Sequence, residues 1–205
     1  MLFRLAARPG HPLNAAFLHG YLNGLSMGTR DEFLVGWLHV THDTNGAVDR
    51  LIRWGREKSL DQVGEETTRL WVTALLWTTS ATDRRVRDWA TVAAARLLSR
   101  FPAQATSVLE RFGPVNDEWV VERALEIAYS SLLLSGSDAD WAAAAEVVWD
   151  QFFSVPADLT PNAAVRAAAR SIIEAASDHR RLSRAVTAAQ FRPAHDSPWP
   201  PNWPT

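Results

Sequence analysis

Cysteine is missing from all 205 residues. That excludes cysteine-built zinc and iron–sulfur sites, a thiol nucleophile and a disulfide framework. Lysine is nearly missing too: Lys58 is the one lysine beside twenty arginines. With many Ala, Val and Trp residues, this skew reads as GC-rich coding bias rather than as function. The net charge is −2, which argues against a general nucleic-acid coat. No apolar run approaches the roughly 18 residues of a membrane span. Met1 to Leu13 carries Arg4 and Arg8 but no apolar run of signal-peptide length. A cytoplasmic protein without membrane contact is the expectation. Strand-like alternation is also scarce, G-x-G-x-x-G and G-x-x-x-x-G-K-[ST] do not occur, and the single G-x-S-x-G, Gly24-Leu-Ser-Met-Gly28, follows a helical pattern rather than the strand that a nucleophile elbow needs.

What remains is a helical pattern. Apolar residues make up 47% and charged residues 21%, ordinary globular usage. The length matches one domain or one array of small repeats, able to bury about 70% of its unfolded surface without a metal or disulfide. Helical periodicity predicts about nine helices. They are 14–27, 31–41, 47–57, 65–79, 83–101, 102–112, 117–134, 138–153 and 161–176, with a last one over 178–190. Asp43-Thr-Asn-Gly46, Gly113-Pro114 and Ser135-Gly-Ser137 are turn signals. Thr160-Pro161 reads as an N-cap followed by Pro at the first helical position. From Pro193 onward four prolines in the last nine residues, with Trp199 and Trp203, predict an extended, polyproline-like tail. The expected organisation is one helical domain over 1–192 and a Pro/Trp-rich tail over 193–205.

Three helices begin alike, with Asp83-x-x-Val86-Arg87-x-x-Ala90, Asp117-x-x-Val120-x-x-x-Ala124 and Asn162-x-x-Val165-Arg166-x-x-Ala169. Asp or Asn caps the N-terminus. Val and Ala, four apart, face the neighbouring helix, and Ala allows close approach. Arg lies off that face and can reach an acidic group on the next repeat. The pattern resembles the second helix of a HEAT repeat, with its Asp followed by Val-Arg; the middle copy lacks the Val-Arg pair. The resemblance covers about 65–176 and implies an α-solenoid of antiparallel helix pairs.

A second resemblance rests on Arg30-Asp-Glu-Phe33, Ala47-Val-Asp-Arg-Leu-Ile-Arg-Trp54, Ala74-Leu-Leu-Trp-Thr-Thr-Ser80, Arg87-Asp-Trp-Ala-Thr91 and Val115-Asn-Asp-Glu-Trp-Val-Val-Glu-Arg123. In that order they look like the helical region of large bacterial STAND-class ATP-binding proteins, including anti-phage defence proteins. In such proteins an NTPase module precedes a helical region that scaffolds the molecule and senses a partner. The resemblance implies a non-catalytic scaffold and supplies no active-site residue, since the nucleotide motifs are missing from this sequence.

Candidate chemistry is sparse. His39-x-x-His42-Asp43, with His19 as a third group, has the residue types of a metal site. Against that, a histidine near a helix C-terminus simply favours the dipole. Glu65-Glu66, Asp83 and Asp88 offer carboxylates for acid–base work, yet carboxylates at helix starts also complement the dipole. No catalytic residue, cofactor or metal is therefore expected. Charge is more telling. Residues 116–158 hold nine acidic residues and one arginine. Residues 159–192 hold six arginines against Glu174 and Asp178. Arg166, Arg170, Arg180, Arg181 and Arg184 are the candidate partner-binding residues, suited to an acidic protein surface or to phosphate. A protein partner is the first expectation, and nucleic acid bound by the Arg-rich C-terminal helices the alternative.

Overall fold

The computed structural model describes residues 2–154, 160–178 and 187–191. Among them the chain is all-helical, without a strand. The helices are α1 (Leu2–Leu5), α2 (Ala15–Asn23), α3 (Met27–Arg30), α4 (Gly36–Thr41), α5 (Ala47–Glu57), α6 (Glu65–Thr78), α7 (Arg84–Leu98), α8 (Gln104–Phe112), α9 (Glu118–Ser135), α10 (Asp138–Phe152), α11 (Ala163–Asp178) and α12 (Ala188–Phe191). A π-helical segment, Asp31–Val35, joins α3 to α4.

Side-chain caps set many of the starts. Asn14 accepts from the Ala16 amide, Ser26 from Thr29 and Asp83 from Arg85. Asp117 accepts from Trp119 and Val120, and Ser137 from Asp140. Each satisfies amides that the first helical turn leaves free. Three sequence expectations shift. The helix expected over 14–27 ends at Asn23, because Ser26 caps a new one. Pro102 lies within a turn, and α8 starts at Gln104. The cap of α11 is Asn162, not Thr160: its Oδ1 accepts from Ala164 and Val165. The stretch 178–190 is described only over 178 and 187–190, and the tail lies outside the described residues.

α6 is the most deeply placed helix. Leu70 to Thr78 is buried without a break. A helix that is apolar all round is covered all round, and α2, α5, α7 and α9 all touch α6. Two of its buried hydroxyls bond within the helix: Thr73 donates to the Arg69 carbonyl and Thr78 to that of Leu75. Neighbouring helices pair as α6 with α7, α8 with α9 and α10 with α11. The second members also meet in succession, α5 with α7, α7 with α9 and α9 with α11. On those second helices Val86 and Ala90, Val120 and Ala124, and Val165 and Ala169 are all buried. Gly55 of α5 lies so close to α7 that a methyl group there would stand 2.9 Å from the Ala93 Cβ. One cluster of buried residues runs from Phe3 to Phe191.

Candidate functional site

The distinctive feature is a cleft of about 720 Å³ where α3, the π-helical segment, the α6–α7 turn and the α8–α9 turn converge. Arg30 lies beneath it, fully buried. A buried guanidinium is costly unless paired and hydrogen-bonded. Arg30 donates to Asp117 Oδ2 at 3.3 Å and to Asn116 Oδ1 at 2.8 Å. It also lies 5.1 Å from the ring centre of buried Trp77. Asn116 returns a bond to the Leu25 carbonyl. Residue 30 is thus bolted to residues 116 and 117. Asp117 serves two helices at once, capping α9 and neutralising Arg30.

Above this anchor the cleft wall carries Asp31, Ser80, Arg87, Glu118, Trp119 and Met27. Asp31 is raised above the usual carboxylate range, first by burial and then by the Asp117 charge, with Arg30 opposing. Glu118 accepts from Thr160 Oγ1 at 2.7 Å and Asn162 Nδ2 at 3.0 Å. Trp119 is 56% exposed. One side of its ring is taken by the Arg87 guanidinium, 5.0 Å from the centroid. Arg87 is fixed there by bonds to the Ala81 and Thr82 carbonyls. The arginine of this Asp-x-x-Val-Arg start therefore folds back on its own turn instead of reaching an acidic group on a neighbouring helix. Arg166 does the same, donating to the Thr160 carbonyl at 2.6 Å. A single spacing produces one geometry in both copies.

Four of the five segments behind the STAND-class resemblance meet at this cleft, through Arg30-Asp31, Ser80, Arg87 and Asn116-Asp117-Glu118-Trp119. The fifth, 47–54, contributes Asp49, Ile52 and Arg53 to a smaller cleft of about 310 Å³ between α5 and α7. There Arg56 lies 4.8 Å from the Trp89 ring centre. The turn leading into α5 places Asp43 and Asn45 in left-handed backbone conformation, which Asn and Asp tolerate best among residues bearing a side chain.

The other sequence candidates fall as follows. Arg166 is committed to its turn, and Arg170 pairs with Glu174 at 3.5 Å. Arg180, Arg181 and Arg184 lie outside the described residues. His42 Nδ1 is 3.2 Å from Asp43 and its Nε2 3.8 Å from Asp83. His19 instead accepts from the Trp77 indole and packs on Phe112. No group of three metal-ligating side chains converges among the described residues. Glu66 pairs with Arg69 and Asp88 with Arg84. Asp83 is held at about 2 by its hydrogen bonds to Arg85. Sequence periodicity missed Arg30 and Asp31, because charged residues on a short helix read as solvated. The one signal that reached them was the resemblance segment Arg30-Asp-Glu-Phe33. Comparison with family models, curated proteins and solved structures finds no match to this chain.

Proposed function

We propose that this chain is a non-catalytic protein-binding or scaffold module, an α-solenoid of HEAT-like helix pairs related to the helical region of bacterial STAND-class sensing and defence proteins. The pairing of α6–α7, α8–α9 and α10–α11, with α5, α7, α9 and α11 in succession, supports the solenoid reading. The observation that carries the binding reading is a pair of exposed indoles on adjacent helices. Trp89 and Trp119 are each covered on one side by an arginine of the preceding helix in that row. Tryptophan and arginine dominate the energetics of protein interfaces, and these lie beside two clefts. A cytoplasmic setting accompanies this reading; no described helix is long and apolar enough to cross a membrane.

The test is affinity capture from bacterial lysate, with nuclease-treated and untreated samples side by side, using the natural chain and Trp89→Ser/Trp119→Ser. A discrete protein that survives nuclease and is lost with the double substitution supports the reading. Recovery that disappears with nuclease and with Arg180→Ala/Arg181→Ala/Arg184→Ala, and that falls steeply with salt, moves the function to nucleic acid.

A further inference from the structure

We infer that the cleft beside Trp119 receives a cationic side chain, arginine or lysine, from the partner protein. This rests on the protein-binding reading and adds the chemistry of the contact.

Asp117 is neutralised by Arg30 at 3.3 Å. Arg87 is one fixed cation on the wall. Asp31 and Glu118 are two carboxylates on the same wall, and neither has an ion-pair partner among the described residues. The groups that hold Glu118, Thr160 and Asn162, are neutral donors. The balance is negative before any more distant charge is counted. That field draws a basic segment toward the cleft.

Shape and surface chemistry fit the same occupant. The cleft has the volume of a ligand site, within the range of about 300–1,000 Å³. A long aliphatic stem ending in a cation needs apolar wall and a polar end. Met27 and the indole of Trp119 supply the wall, both about half exposed. Asp31 and Glu118 supply the charge. Trp119 already binds one guanidinium, that of Arg87, which shows that the ring is electronically suited to a cation. Burial and the Asp117 charge raise Asp31 above the usual carboxylate range, the behaviour of a carboxylate short of positive charge. A cation placed beside it would lower it again.

The base of the site is rigid. Arg30, Asn116 and Asp117 join α3 and the turn before it to the start of α9 through three hydrogen bonds, so Asp31 and Trp119 are held on two bolted elements. A rigid cleft loses little order on binding, and that favours affinity.

The test uses the full chain labelled with ¹⁵N. The Trp119 indole signal is assigned by its loss in Trp119→Phe. N-acetyl-arginine methylamide is titrated in, with N-acetyl-citrulline methylamide, the same shape without charge, as the matched probe. The arginine probe is expected to move the Trp119 signal with a Kd on the order of 1 mM. The citrulline probe is expected to leave it in place, and Asp31→Asn to weaken the arginine response about threefold to tenfold. Among the described residues Asp31 makes no side-chain hydrogen bond, so this variant reports on the ligand. The inference is overturned if the arginine probe leaves Trp119 unmoved at about ten times that concentration, if citrulline moves it equally, or if Asp31→Asn changes nothing. A failed titration combined with Trp119-dependent capture of a nuclease-resistant protein overturns the cation chemistry and leaves the scaffold reading standing. A successful titration with no protein captured does the reverse.

Discussion

Arg30→Met should destabilise the protein by about 3–5 kcal/mol, the range for removing one partner of a buried ion pair. At 3.3 Å the Coulomb attraction to Asp117 is about 5 kcal/mol for an effective dielectric of about 20. Removing the cation leaves the Asp117 carboxylate buried, still accepting the Trp119 and Val120 amides. Those two bonds cushion the loss toward the lower end of the range. Asp117→Asn should cost nearly as much, because Arg30 is fully buried and keeps Asn116, the Leu22 carbonyl and the Trp77 ring, all of them uncharged. Asparagine still caps α9, so this loss reports on charge rather than on capping. The informative variant is the pair, Arg30→Met with Asp117→Asn. Both charges leave together, Met fills the space, and the double change should cost less than the sum of the singles by about 2–3 kcal/mol. Urea unfolding followed by far-UV circular dichroism measures all four proteins. Strict additivity of the two singles, or a loss below about 1 kcal/mol for Arg30→Met, refutes the account of Arg30 as the bolt beneath the cleft.

Three further outcomes follow from single sites. Gly55→Ala should destabilise by about 1 kcal/mol or more despite better helix propensity, because the new methyl meets Ala93 Cβ at 2.9 Å. Adding Ala93→Gly should restore most of the loss, and a stabilised single variant would contradict the close crossing of α5 and α7. His19 is lowered from 6.5 to about 4, first by burial and then by the Arg111 charge. Its protonated form therefore favours the unfolded chain, so its contribution is complete above pH 6.5 and is lost as pH falls from there toward 4. His19→Asn, which can keep an acceptor for the Trp77 indole, should flatten the urea midpoint between pH 6.5 and 4.5; an unchanged slope there would assign the acid sensitivity elsewhere. Asn162→Ala should cost about 1–2 kcal/mol by uncapping α11. Asn162→Asp keeps the cap but faces Glu118, where Asn162 now donates at 3.0 Å, so its loss should appear near neutral pH and shrink as the carboxylates protonate. A pH-independent loss would show that the Glu118 contact is immaterial.

The functional residues divide by how far apart their partners lie in the chain. Arg87 and Arg166 share a spacing from their caps, and both fold back six residues to a carbonyl. That contact is local: the turn carbonyls, at 2.7 and 2.6 Å, take the guanidinium in place of an acidic group on a neighbouring helix. Asp31, Glu118 and Trp119 carry no periodic mark, and they share a cleft only because α3 is bolted to the α8–α9 turn. Arg180, Arg181 and Arg184 stand out in the sequence by charge alone.

The sequence by itself determined where most helices start and stop and which faces they bury. These follow from rules acting within one or two turns: an Asp, Asn or Ser side chain reaching the next free amides, and apolar residues three and four apart. Asp83, Asp117 and Asn162 cap as their spacing requires, and the Val and Ala positions after them are buried. Only the tertiary structure decided that Arg30, a charged residue on a four-residue helix, sits fully buried. Its partners are 86 and 87 residues away. A buried charge is tolerated only where the whole fold delivers its counter-charge and acceptors together, and no local pattern encodes that meeting.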